Sequence, residues 1–83
     1  MPRALAVGRV SIPAADRDGY LAEARRRRDA VRAAGCNCWL FEDPDRPGSF
    51  TEFVEAGDPG TVAEALRRAG LPASPILREV ELP

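Results

Sequence analysis

The stretch from Gly35 to Ala56, GCNCWLFEDPDRPGSFTEFVEA, holds the only Trp and all three Phe residues of the chain, split by a run of turn formers. Cys36 to Glu42 and Phe50 to Glu55 read as two β-strands. Between them Pro fixes φ, Asp bonds its own backbone, and Gly takes conformations closed to other residues. Pairing Asp43 with Ser49 closes a five-residue loop. An antiparallel register then sets Phe41 opposite Thr51, Trp39 opposite Phe53 and Leu40 opposite Glu52. Alternation sorts Asn37, Trp39, Phe41, Thr51, Phe53 and Glu55 onto one face, and Cys36, Cys38, Leu40, Glu42, Phe50, Glu52 and Val54 onto the other. Both faces are substantially apolar, so each needs a cover.

The flanking sequence supplies two helices and two more strands. Ala4 to Ile12 reads as a strand ended by Pro13, with Leu5, Val7, Arg9 and Ser11 facing one side. Asp16 is a candidate N-cap for a helix over Arg17 to Ala34, stopped by Gly35; Tyr20, Leu21, Ala24, Val31 and Ala34 recur on it at helical spacing. Asp58 and Pro59 open a second helix over Thr61 to Ala69, with Val62, Leu66 and Ala69 as its buried stripe and Gly70 as its stop. Leu71 to Pro75 reads as a linker and Ile76 to Leu82 as a last strand. The order strand, helix, strand, strand, helix, strand is the ferredoxin-like βαββαβ pattern. It predicts a single α+β domain over residues 1–83, a four-stranded antiparallel sheet with two helices on one face.

Composition removes several function classes. All twelve basic residues are Arg, so lysine Schiff-base chemistry is absent, and the lack of His excludes a His-assisted nucleophile, a His-ligated metal and a proximal haem histidine. No cofactor is implied. Twelve basic residues against thirteen acidic ones give a net charge of −1, which offers no electrostatic reason for a nucleic acid or anionic membrane partner. Cys36 and Cys38, two apart on a strand, point the same way with Cα atoms about 6.5–7 Å apart, at or beyond disulfide reach. That favours the reducing cytoplasm. The N-terminal apolar run is broken by Gly8 and Arg9 and reads as neither signal peptide nor membrane span.

A domain of 83 residues buries only about 60–65% of its unfolded surface, which makes a partner subunit attractive. Alanine-rich helices are expected to lie over the large residues Trp39, Phe41 and Phe53, with the charges Glu52 and Arg9 kept out of that layer. The face carrying Cys36, Cys38, Leu40, Phe50, Glu52 and Val54 would then be open, and two such faces are expected to pack together.

The hairpin resembles that of the dimeric α+β barrel family that includes the antibiotic-biosynthesis monooxygenases and small quinol oxygenases. The resemblance rests on Gly35, Cys36, Leu40, Glu42, Asp43, Pro44, Asp45, Pro47, Gly48 and Phe50, and is mostly turn chemistry. It implies a cytoplasmic homodimer with a cavity in each protomer for a flat or aromatic ligand. Relatives variously oxidise electron-rich aromatics with O2 and no cofactor, bind or degrade haem, isomerise lactones, or have no known activity. The lack of His disfavours the haem-degrading branch. Cys38 stands where many relatives place Tyr, and Tyr20 on the first helix is no obvious substitute.

Glu52 is the candidate catalytic base, since deprotonating a phenol or hydroquinone eases electron transfer to O2; an ion pair with Arg9 or Arg78, or exposure at a dimer rim, is the structural alternative. Arg9, Cys38, Leu40, Phe50 and Val54 are the candidate ligand-contacting residues. Cys36 and Cys38 read as small buried hydrophobes before a thiolate pair, which would need further ligands to hold a metal. Trp39 reads as core before ligand platform. Asn37 fits turn chemistry or a carbonyl contact, and Asp43 and Asp45 fit the turn. Arg25 to Arg28 reads as a solvated helix face, with anion binding as the other reading. The expected function is cofactor-independent, monooxygenase-like oxidation of a small aromatic or quinol-type compound. The alternative is a non-catalytic dimeric module for small-molecule binding or assembly.

Overall fold

The computed structural model describes residues 2–72 and 74–83. In chain order it has β1 (Ala4–Ser11), a single 3-10 turn (Ala14–Asp16), α1 (Arg17–Ala33), β2 (Asn37–Glu42), β3 (Ser49–Ala56), α2 (Pro59–Arg68) and β4 (Ile76–Arg78). The strands form one antiparallel sheet in the order β2-β3-β1-β4. This α+β arrangement of a four-stranded sheet and two helices is compatible with a ferredoxin-like fold.

The hairpin register agrees with the expected one, with Phe41 opposite Thr51, Trp39 opposite Phe53 and Leu40 opposite Glu52. The Asp43 amide donates to the Ser49 carbonyl at 2.9 Å, and Asp43 Oδ1 accepts from the Asp45 amide at 2.9 Å. Gly35, at φ +89°, ends α1 with two backbone bonds, its own amide to the Arg32 carbonyl and that of Cys36 to the Val31 carbonyl, both 3.0 Å. Asp58 caps α2, accepting from the Thr61 amide at 2.8 Å and the Thr61 hydroxyl at 2.7 Å. Asp16 stands at the start of α1, but its side chain makes no capping bond; the 3-10 turn leads into the helix instead.

The last strand is shorter than expected. Ala4 pairs with Arg78, the Glu79 amide still reaches the Arg3 carbonyl at 2.7 Å, and the preceding residue, Pro2, has no N–H to offer. The ladder ends there, leaving Val80 and Leu82 exposed. The expected linker over residues 71–75 includes Ala73, which lies outside the described residues.

The expected assignment of the sheet faces is reversed. Ala4, Ala6, Cys36, Cys38, Phe50, Val54 and Ala56 are buried on the helix side, together with Ala24, Val31, Val62, Ala65, Leu66 and Ala69 of the helices. Small residues on the helices meet small residues on the strands, so the helices sit close to the sheet and no large aromatic layer is needed between them. Trp39 and Phe41 are exposed, and Phe53 is half-buried, on the face that the helices leave open. Trp39 is therefore not a core residue. Glu52 lies in the layer that it was expected to avoid, whereas Arg9 is exposed on the open face.

Candidate functional site

Three features of the molecule concentrate chemistry. The first is a cavity of about 210 Å³ between α1 and the sheet, bordered by Leu21, Ala24, Arg25, Arg28, Cys38, Leu40 and Glu52. Glu52 also borders a smaller space of about 80 Å³ on its other side, together with Gly8, Val54 and Leu66. Its side chain is 11% exposed, and both carboxylate oxygens face Arg27, whose Nε and NH2 groups each lie 3.4 Å away. The partner thus comes from α1, and neither Arg9 nor Arg78 takes that role. A guanidinium matching two carboxylate oxygens makes a long but bidentate contact, which lets the charge remain in a largely desolvated layer.

Beside this pair the Tyr20 and Phe50 rings meet at 4.8 Å between centroids, tilted by 34°, with the Arg27 guanidinium over Tyr20 and the Arg17 guanidinium over Phe50, each 5.4 Å from the ring centre. Burial raises the Tyr20 hydroxyl above its usual range. It likewise raises the Cys38 thiol, helped by the Glu52 charge and opposed by Arg32, Arg27 and Arg28. The Cys36 thiol is raised by burial, and then by Glu55 and Asp58. Both cysteines are free and buried, neutral walls in place of thiolates.

Of the residues expected to contact a ligand, the fold gathers Cys38 and Leu40 with Glu52 at the larger cavity, and Val54 with Glu52 at the smaller one. Phe50 packs under Tyr20 and borders neither. Arg9 is separated from the set by the sheet itself: it pairs with Thr51 across the ladder, one residue out of phase with Gly8 and Glu52. Sequence reasoning missed Leu21, Ala24, Arg25 and Arg28 as lining, although their positions, i, i+3, i+4 and i+7, place them on one helix face. It also missed Arg27 as the partner of Glu52, because the pairing spans two elements.

The second feature is the open sheet face. A groove of about 590 Å³ runs over Leu5, Trp39, Phe41, Phe53 and Leu77, with Arg3, Arg78, Glu55 and Glu79 at its rim. Phe41 meets Phe53 edge-on at 5.6 Å. Arg9, Phe41, Thr51 and Phe53 border an adjoining hollow. An apolar surface of this kind, rimmed by charge, is characteristic of an interface or binding surface.

The third is a clamp at the hairpin. Glu42 accepts from Arg17 NH2 at 2.8 Å and from the Gly48 amide at 2.8 Å. The Arg17 bond and then the Gly48 bond hold its carboxyl at about 2, well below the usual range. Gly48 in turn accepts from the Ile12 amide at 2.8 Å.

Among the described residues no group of three or more His, Cys, Asp or Glu side chains is gathered to hold a metal ion, and no helix is long and apolar enough to cross a membrane. Asn37 donates to Glu55 at 3.4 Å along the open face and takes no part in the cavity. Comparison with protein-family models, with curated proteins and with solved structures finds no match to this chain.

Proposed function

We propose that the chain is one protomer of a cytoplasmic, ferredoxin-like homodimer of the α+β barrel type, and that it acts, monooxygenase-like and without a cofactor, on a small aromatic or quinol-type compound held beneath α1. The observation that carries the reading is Glu52: a carboxylate only 11% exposed, bordering a cavity whose other walls include Cys38 and Leu40. In this reading the carboxylate takes a hydroxyl proton from the substrate, and the resulting phenolate yields an electron to O2 more readily than the phenol does. Arg27 keeps the carboxylate oriented and must loosen its 3.4 Å contacts as the proton arrives.

The dimer is supported by the open face. Trp39, Phe53 and Val7 form a cross-strand band at its middle, with Arg9 towards one end of the sheet and Glu55 towards the other. Arg9 has no ion-pair partner among the described residues. When two copies meet face to face about an axis crossing the strands, the apolar bands coincide and the Arg9 end of one lies over the Glu55 end of the other.

A non-catalytic dimeric module is the second reading, favoured by the double contact of Arg27 with Glu52, which also suits a purely structural pair. Oxygen uptake with a panel of dihydroxyaromatic compounds separates the two. The first reading predicts uptake by the unmodified protein that is lost in Glu52→Gln. Uptake that survives in Glu52→Gln removes the base role, and none across the panel favours the binding module.

A further inference from the structure

We infer that the cavity beneath α1 takes a small carboxylic acid with an apolar body, the size of a single-ring aromatic acid, its carboxylate received by Arg25 and Arg28. The inference rests on the reading above that this cavity holds a small ring compound, and adds the charge of the occupant. Leu21, Ala24, Arg25 and Arg28 fall on one face of α1, so the helix presents an apolar patch followed by two guanidinium groups along the same cavity wall. Leu40 and Cys38 face that patch from β2. The thiol, raised by burial, adds no negative charge.

The charges do not cancel within the wall. Among the described residues Glu52 is the one carboxylate on the lining, and both of its oxygens are already matched by Arg27. Arg28 engages Asp29 through Nε at 3.2 Å, which leaves its terminal amino groups to donate, and Arg25 has no ion-pair partner among the described residues. Two guanidinium groups beside an aliphatic wall suit an occupant with an anionic end and an apolar end. At about 210 Å³ the space falls below the roughly 300–1,000 Å³ of sites for drug-sized ligands and suits a body of about one ring.

Amide correlation spectra of the 15N-labelled chain, titrated with benzoate, with its uncharged isostere benzamide and with acetate, test this in the unmodified protein and in an Arg25→Gln/Arg28→Gln variant. The expected result is that benzoate shifts the amides of Leu21, Cys38, Leu40 and Glu52, and binds about tenfold more weakly to the variant. Benzamide should bind weakly and equally to both. If benzamide binds as tightly as benzoate and the variant changes nothing, the cavity still takes a ring compound but the acid assignment is overturned. Acetate binding as tightly as benzoate at the same amides overturns the apolar body. No response of these amides to any of the three overturns the cavity reading itself, and the acid assignment with it. The variant's unliganded spectrum, with its dispersion retained, establishes that it is folded.

Discussion

Single side chains carry the electrostatics of this protein, and Glu42 is the one whose titration reads out folding most directly. Its carboxyl is held at about 2 by the Arg17 and Gly48 bonds, below the ordinary carboxylate value of 4.5. A depressed value means that the unfolded chain binds the proton more readily. The contribution of Glu42 is therefore fully present above about 4.5, fades as pH falls, and is gone below about 2. Chemical denaturation at a series of pH values should show the stability falling across that window. Glu42→Gln should flatten the fall there, while its own loss relative to the unmodified protein should be largest at neutral pH. A variant with an unchanged acid profile would mean that the carboxylate is solvated and not clamped. Glu52, by contrast, is held by a partner that no sequence rule nominates, since Arg27 lies on another element, 25 residues away in the chain.

At the scale of elements, the hairpin turn is tied to the end of β1 at one position. Gly48 has φ +91°, its amide bonds to Glu42, and a Cβ built on it would lie 2.3 Å from the Ile12 carbonyl oxygen. Gly48→Ala must both adopt a left-handed backbone and push β1 away from the turn. We expect it to cost at least about 2 kcal/mol in denaturant unfolding, with Asp45→Ala, at an exposed loop position of negative φ, costing far less. An alanine at 48 with unchanged stability would contradict the close approach of turn and strand. Much at this scale was legible in the sequence: the hairpin register, the Asp58 cap and the ends of both helices follow from local steric rules that act within a few residues. The choice of covered face was not. Alternation names two faces, both apolar here, and which one the helices take depends on how small residues from four elements fit together. Ala4, Ala6, Cys38 and Ala56 settle that fit collectively, and none signals it alone. The candidate site suffered the same ambiguity, since Arg9 and Glu52 can share a site only if the strand phases bring them to one face.

The whole molecule is a slab with one sheet face bare of helices. Its radius of gyration, 13.4 Å, exceeds the roughly 12 Å of a compact chain of this length, and its shortest extent is 17 Å, one layer of helices on one sheet. Trp39, Phe41, Leu5 and Leu77 lie on the bare side. A chain of this size has little core to spare for an uncovered sheet, and the proposed dimer closes that face with a second copy. The most direct test is the solution mass by light scattering during size exclusion across a dilution series, for the unmodified chain and for Phe53→Arg, which sets a charge in the middle of the apolar band. The proposed dimer gives a stable species of twice the 9.0 kDa chain mass for the unmodified protein, and a folded chain of single mass for the variant. A single-mass species throughout, or a dimer indifferent to Phe53→Arg, would contradict it.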